Sequence, residues 1–294
     1  FSLITFSIAL AFFWLESRQN RIGDITKSLT RLNLQINDVN NLEKDFFSKD
    51  AFNKDFYTSG KSDYLRKHTN LLEQIKREVA LLRDESDLQS KAMSQEVDKV
   101  TTQINSLEKL FEDLVASIRT RGFKDNGLEG EMRKAIYLLE NNGKKHNLSP
   151  TKILTLRRHE KDYIIQKESG YVDKLNGAVV ALENEIKTVV TNKEEQKGLL
   201  KNLSDYRHAF LELVNVEKRI GFHNQSGLKK KLNDSLEQLE KDIQRIDQIV
   251  FDASSRVRTN VKYTLIVLLT IFVFLSIGLG VFVNQKLGRP ITLL

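Results

Sequence analysis

Two octapeptides, "NNLEKDFF" (Asn40–Phe47) and "RRHEKDYI" (Arg157–Ile164), decide how the chain must fold. Both carry Glu-Lys-Asp-aromatic inside a helical pattern. Taking every third and fourth residue, the first lies on the stripe Ile36, Val39, Glu43, Phe46, and the second on Ile153, Leu156, Glu160, Tyr163. A carboxylate therefore occupies the same place on an apolar helix face twice. Such a group must be paired or hydrogen-bonded if it leaves water. One reading makes Glu43 and Glu160 structural buried carboxylates that accept from turn amides or from a Lys or Arg of a neighbouring helix. A second makes them part of a ligand pocket, and a third turns them to solvent by a local phase shift.

The repeat extends beyond the octapeptides. "LFEDLV" followed by "RGFKDNGLEG" matches "AFLELV" followed by "IGFHNQSGLKK": Phe111 pairs with Phe210, Leu114 with Leu213, and Gly122 with Gly221. With one inserted residue, Gly127 pairs with Gly227. Helix, Glu-Lys-Asp-aromatic, helix, Gly-Phe turn, helix thus occurs twice, which predicts an internal duplication. The turn glycines Gly122, Gly127, Gly221 and Gly227 are expected to end and restart helices.

The pattern between these landmarks is helical throughout. Apolar residues recur at Ile25, Leu29, Leu32, Ile36 and Val39, at Leu72, Ile75, Val79 and Leu82, and from Met93 to Ile118. A polar patch at Ser86 and Gln89 interrupts the second series, so a continuous helix from Ser62 to Thr120 would break there or run through two bundles. Ser62 or Asp63 is an N-cap candidate, as is Ser149 before Pro150. A helix is expected from about Leu128 to Glu140, followed by a loop "NNGKKHN". The last helix runs from Leu232 through Val250 and Val261 into "YTLIVLLTIFVFLSIGLGVFV" (Tyr263–Val283).

That final run holds no charge and covers about 30 Å as a helix, the thickness of a bilayer's hydrocarbon. "FSLITFSIALAFFWL" (Phe1–Leu15) is similarly apolar and reads as part of a transmembrane helix cut short at its start. Lys286 and Arg289 on one side of the last run are balanced by Arg256, Arg258 and Lys262 on the other, so charge does not orient it.

The rest of the composition narrows the chemistry. The chain of 294 residues has two Pro and no Cys, with a net charge of +7 that is mixed along its length. There is no thiolate for a metal or a nucleophile, no disulfide framework, and no basic stripe that would suit nucleic acid. The five His (His68, His146, His159, His208, His223) show no metal-binding spacing, and no glycine-rich phosphate loop is present. No metal, cofactor or enzymatic activity is expected of this segment.

"LRRHEKDY" and "GFKDNGLEGEMRKA", between two apolar ends, resemble the helical bimodular sensor domain of bacterial receptors. "LGRPITLL" (Leu287–Leu294) resembles the opening of a HAMP linker, with Pro290 as its early proline. The resemblance implies an all-α fold of two stacked antiparallel helical bundles flanked by two transmembrane helices. Residues 1–16 and 263–284 would be the spans. Residues 17–262 would be the periplasmic domain, with repeat copies at about 25–140 and 149–262, and residues 285–294 would begin the linker. It further implies a two-pass, homodimeric protein of the bacterial inner membrane that binds a small organic acid or a periplasmic binding protein. The output would be a histidine kinase or a chemotaxis pathway.

Arginine forks suit a carboxylate ligand. Arg31 and Arg245 lie at matched distances from the two apolar ends. Arg158 falls on the stripe Leu154, Arg158, Lys161, Ile165 and is expected to point inward, with Arg157 and Arg133 as its neighbours in motif. A membrane-anchored helical scaffold without a ligand is the competing reading.

Overall fold

The computed structural model of the chain describes residues 2–84, 91–222, 225–283 and 285. Their helices are α1 (Ser2–Ser48), α2 (Lys54–Ser59), α3 (Asp63–Asp84), α4 (Lys91–Arg121), α5 (Gly127–Lys145), α6 (Pro150–Gln166), α7 (Gly170–Val189), α8 (Lys193–Ile220) and α9 (Gly227–Val283). The class is all-α. Among the described residues the only strand-like feature is an isolated bridge between Phe123 and Asn126. The polar patch at Ser86 and Gln89, the linker proline Pro290 and His223 lie outside the described residues.

Local chemistry sets the helix ends. The backbone N–H of Leu65 donates to the Ser62 hydroxyl at 3.1 Å, which makes Ser62 the cap of α3. Pro150 opens α6 as expected, but Ser149 makes no side-chain cap. Its N–H donates instead to Glu185 at 2.7 Å. Helix α5 continues to Lys145 rather than ending at Glu140. At Gly143 a Cβ would lie 3.2 Å from Leu148 Cδ1, so the bare backbone gives Leu148 room beside the helix. Between α7 and α8, the Asn192 side chain accepts from the N–H groups of Glu194 and Glu195 at 3.0 and 3.3 Å. The polar interruption after α1 holds a 3-10 turn, Asp50–Phe52, and α2, whose Phe56 buries against Phe46 at 5.2 Å between ring centroids.

The chain divides into two compact units. One consists of residues 1–35, 74–102 and 240–294, the other of 36–73 and 103–239, so the division does not follow the expected repeat copies. In the first unit, segments of α1, α3, α4 and α9 bury Ile25, Leu29, Val79, Val97, Ile243 and Ile246. Arg31 of α1 meets Glu78 of α3 at 3.7 Å, and Arg245 of α9 meets Glu96 of α4 at 4.0 Å. Ile22 and Thr26 of α1 share a groove with Ser254 and Val257 of α9. Beyond that groove α9 continues unbroken to Val283, and its apolar last part is wholly unburied. By length and composition this helix can cross a membrane. No other described helix, α1 included, meets the same measure.

In the second unit α5 lies along α8, α6 along α7, and α7 along α8. Leu139, Leu156, Leu175, Leu182, Tyr206 and Phe210 are fully buried among them. The same unit contains the aromatic group Phe46, Phe56, His68 and Phe111, contributed by α1 to α4.

The two copies of the repeat match in local geometry. Phe46 and Phe111 pack edge to face at 5.9 Å and 77°, and their counterparts Tyr163 and Phe210 do so at 5.5 Å and 77°. The buried series His68, Leu72, Ile75, Val79 of α3 corresponds to Leu175, Val179, Leu182, Ile186 of α7. Hence α1 corresponds to α6, α3 to α7, α4 to α8 and α5 to α9. The fourth helices are exchanged: α5 packs with α6 and α8 of the other copy. In the first unit α9 packs with α1 and α4.

Candidate functional site

Each Gly-Phe turn is closed by glycines that nothing else can replace. Gly122 (φ 85°) and Gly221 (φ 95°) occupy left-handed backbone, as do Gly127 (φ 61°) and Gly227 (φ 64°). A Cβ on Gly122 would fall 1.9 Å from Asn126 O, and one on Gly221 would fall 1.8 Å from Ser226 O. The glycines also touch: Gly127's Cβ would meet Gly122 Cα at 2.6 Å, and Gly227's would meet Gly221 Cα at 2.7 Å. The amides of Gly122 and Gly221 are already engaged. Gly122 donates to Ile118 O at 3.0 Å and Gly221 to Glu217 O at 2.9 Å.

The inward carboxylates therefore find other partners than the turn amides expected for them. Glu43 Oε1 lies 3.1 Å from His68 Nε2, and both side chains are 3% exposed. The His68 ring sits 4.0 Å from that of Phe111. Burial raises the Glu43 pKa above its ordinary value, opposed by the hydrogen bond and charge of His68 and by Lys44. In the other copy, the Tyr206 hydroxyl donates to Glu160 Oε2 at 2.8 Å, and Lys161 Nζ stands 3.3 Å from Oε1. Burial, then the charge of Glu160, holds the Tyr206 hydroxyl far above the usual tyrosine range.

Glu160 also faces a groove between α5 and α6. Glu129, Met132, Arg133 and Ile136 line one wall, and Arg157, Glu160, Lys161 and Ile164 the other, around a cavity of about 220 Å³. Met132, Ile136 and Ile164 give it an apolar floor. Arg133, Arg157 and Lys161 share its lining with the carboxylates of Glu129 and Glu160. Arg157 donates to Glu140 at 3.0 Å, which uses one of its five N–H groups. Arg133 lies 3.7 Å from Asp125. Burial raises the pKa of Glu129, opposed by Arg121, by the backbone N–H of Lys124 and by Lys161. Three cations against two carboxylates, beside apolar residues, suit a small anion with a short hydrocarbon body.

The five arginines expected to contact ligand thus part company. Arg133 and Arg157 meet at the groove. Arg158 does not point inward: its side chain is 80% exposed and lies 3.9 Å from Asp162. The stripe on which it was placed faces water, since Leu154 and Ile165 are 59% and 77% exposed, while the buried stripe is Ile153, Leu156, Glu160, Tyr163. Arg31 is 63% exposed against Glu78. Arg245 bonds Asp242 of its own helix at 2.7 Å as well as approaching Glu96. Sequence reading missed His68, Tyr206 and Lys161. The first two leave no signal beyond a polar atom on an apolar stripe, and Lys161 was assigned to the Arg158 face.

Comparison with protein-family models, with curated proteins and with solved structures finds no match.

Proposed function

We propose that residues 17–262 form the extracytoplasmic sensing region of a bacterial transmembrane receptor, and that the α5–α6 groove holds a small organic acid. The observation that carries this reading is α9. One uninterrupted helix bears packed core residues from Leu228 to Val250 and an exposed apolar run from Tyr263 to Val283. A rigid rod that is a bundle member at one end and of bilayer length at the other can carry a displacement across a membrane. Residues 1–16 then serve as the second anchor, and both ends of the chain lie on the inner side. A ligand shifts the signalling equilibrium only as far as it binds one helix arrangement better than the other.

The output in this reading is a histidine kinase reached through a HAMP-type linker, with a chemotaxis output as the alternative. The receptor works as a homodimer in the inner membrane. A periplasmic binding protein in place of a free acid would engage the same domain.

Two measurements test the reading. The full chain in lipid nanodiscs is melted with acetate, succinate or citrate. A ligand at a hundred times its dissociation constant adds about 2.7 kcal/mol and raises the melting temperature, whereas a scaffold gives no shift with any acid. Because the chain has no Cys, the exposed Asn70→Cys variant carries a unique thiol. An impermeant maleimide should label it in intact spheroplasts. Labelling only after lysis would place the domain in the cytoplasm and overturn the proposal.

A further inference from the structure

The repeat supplies a control for the groove within the same molecule. Helix α9 begins as α5 does, and α1 ends as α6 does, so each groove residue has a counterpart. Across the α5–α9 offset set by Gly127 and Gly227, Glu129, Met132, Arg133 and Ile136 become Lys229, Leu232, Asn233 and Leu236. Across the α1–α6 offset, Arg157, Glu160, Lys161 and Ile164 become Asn40, Glu43, Lys44 and Phe47. These counterparts meet in space as the groove residues do, since Lys229 Nζ lies 5.8 Å from the centre of the Phe47 ring.

The counterpart keeps the Glu-Lys pair, as Glu43 and Lys44, and changes the residues around it. Both arginine forks are gone, replaced by Asn40 and Asn233. The position of Ile164 on the apolar floor is taken by the larger Phe47, which also packs edge to face on Phe46 and Phe111 at 5.6 and 6.0 Å. The position of the acidic Glu129 is taken by Lys229, whose ammonium covers that ring. Burial, and the nearby charge of Arg121, lower its pKa, while Glu217 opposes them. An aromatic face with a cation over it satisfies itself internally. The place lined by two arginine forks in the α5–α6 groove is taken by Phe47 and Lys229 in the α1–α9 counterpart.

We infer that the chain holds one anion site, not two: the α5–α6 groove with Arg133 and Arg157 as its carboxylate clamp, its counterpart between α1 and α9 being occupied by Phe47 and Lys229. This inference rests on the proposed acid-binding role of the groove and adds which of the two equivalent grooves binds, how many molecules bind and which residues decide it. The ligand class is a carboxylate of a few carbons, because a cavity of about 220 Å³ has room for little more. Arg133 and Arg157 set affinity, and Phe47 sets the count.

Equilibrium dialysis of the full chain in nanodiscs with radiolabelled acetate, succinate or citrate counts bound molecules directly. One molecule per chain is expected for the probe that binds. Arg157→Gln and Arg133→Gln should each weaken it at least tenfold while leaving the helical melting curve in place. The melting curve separates lost binding from lost folding. The triple variant Asn40→Arg, Phe47→Ile, Asn233→Arg should take up a second molecule. Two molecules per wild-type chain would overturn the inference and leave the acid-binding reading intact. So would one molecule that survives Arg157→Gln but is lost in Lys44→Gln. A count of one in the triple variant would overturn the role given to Phe47. No binding of any probe would overturn the acid-binding reading itself, and the inference with it.

Discussion

Glu43 and Glu160 occupy the same place in the two copies, yet their hydrogen-bond partners come from different helices. In the first copy the partner is His68 on α3, at the position where the second copy has Leu175. In the second it is Tyr206 on α8, at the position where the first has Leu107. Leu175 and Leu107 are fully buried. The two places thus share the demand, a carboxylate inside a helical core, and differ in the helix that supplies its partner. What such a group needs is a hydrogen-bond partner within reach, and either of two neighbouring helices can offer one.

The comparison can be broken most forcefully at His68. His68→Leu makes the first copy like the second at that position but leaves Glu43 without a partner, at a cost of about 3–5 kcal/mol. Adding Leu107→Tyr supplies the donor of the second copy and should recover much of that loss in denaturant melts. If the double variant is no more stable than His68→Leu, the two positions are not equivalent. Next in size, Gly122→Ala and Gly221→Ala should each cost about 3 kcal/mol or more, because a methyl would collide with a backbone oxygen at a positive φ. A large difference between the two would break the equivalence of the turns.

Tyr206→Phe should cost about 1.5–3 kcal/mol, the loss of a hydrogen bond to a charged group. Glu43 has a signature in pH as well. Its pKa is raised in the fold, so its contribution is fully present below the ordinary value of 4.5 and is lost as pH rises through the raised value. Glu43→Gln should flatten that part of the stability profile above pH 4.5, and melts from there upward would reveal it. Smallest of all, Arg158→Ala should change stability by less than about 0.5 kcal/mol and leave acid binding untouched, as expected of a cation in water.

Much of this organisation was legible in the residues. Ile25, Leu29, Leu32, Ile36, Val39 and Phe46 are buried as their spacing required, and Glu43 and Glu160 turn inward with them. The glycine turns fall where three- and four-residue periodicity failed. The pairing of stripes across helices was not legible, because periodicity fixes which side of a helix is apolar and says nothing of which helix it meets. For that reason His68 and Tyr206 were not connected to the carboxylates. Arg158 was misplaced because a stripe one residue over is still spaced by fours and threes, although it is rotated about 100° around the helix. The end of α5 was missed because Gly143 reads as a helix breaker unless Leu148 is known to need the space.

The exchange of fourth helices has a consequence for how the protein is made. Helix α1 leaves the ribosome more than two hundred residues before the C-terminal half of α9, yet in the first unit they are packing neighbours. At about 5–20 residues per second, Ile22, Ile25 and Leu29 wait many seconds for their cover. A nick in the loop between Lys145 and Pro150 would leave each fragment with one helix that belongs beside the other, so neither half should hold its shape alone, and mixing the two should restore what the cut removed.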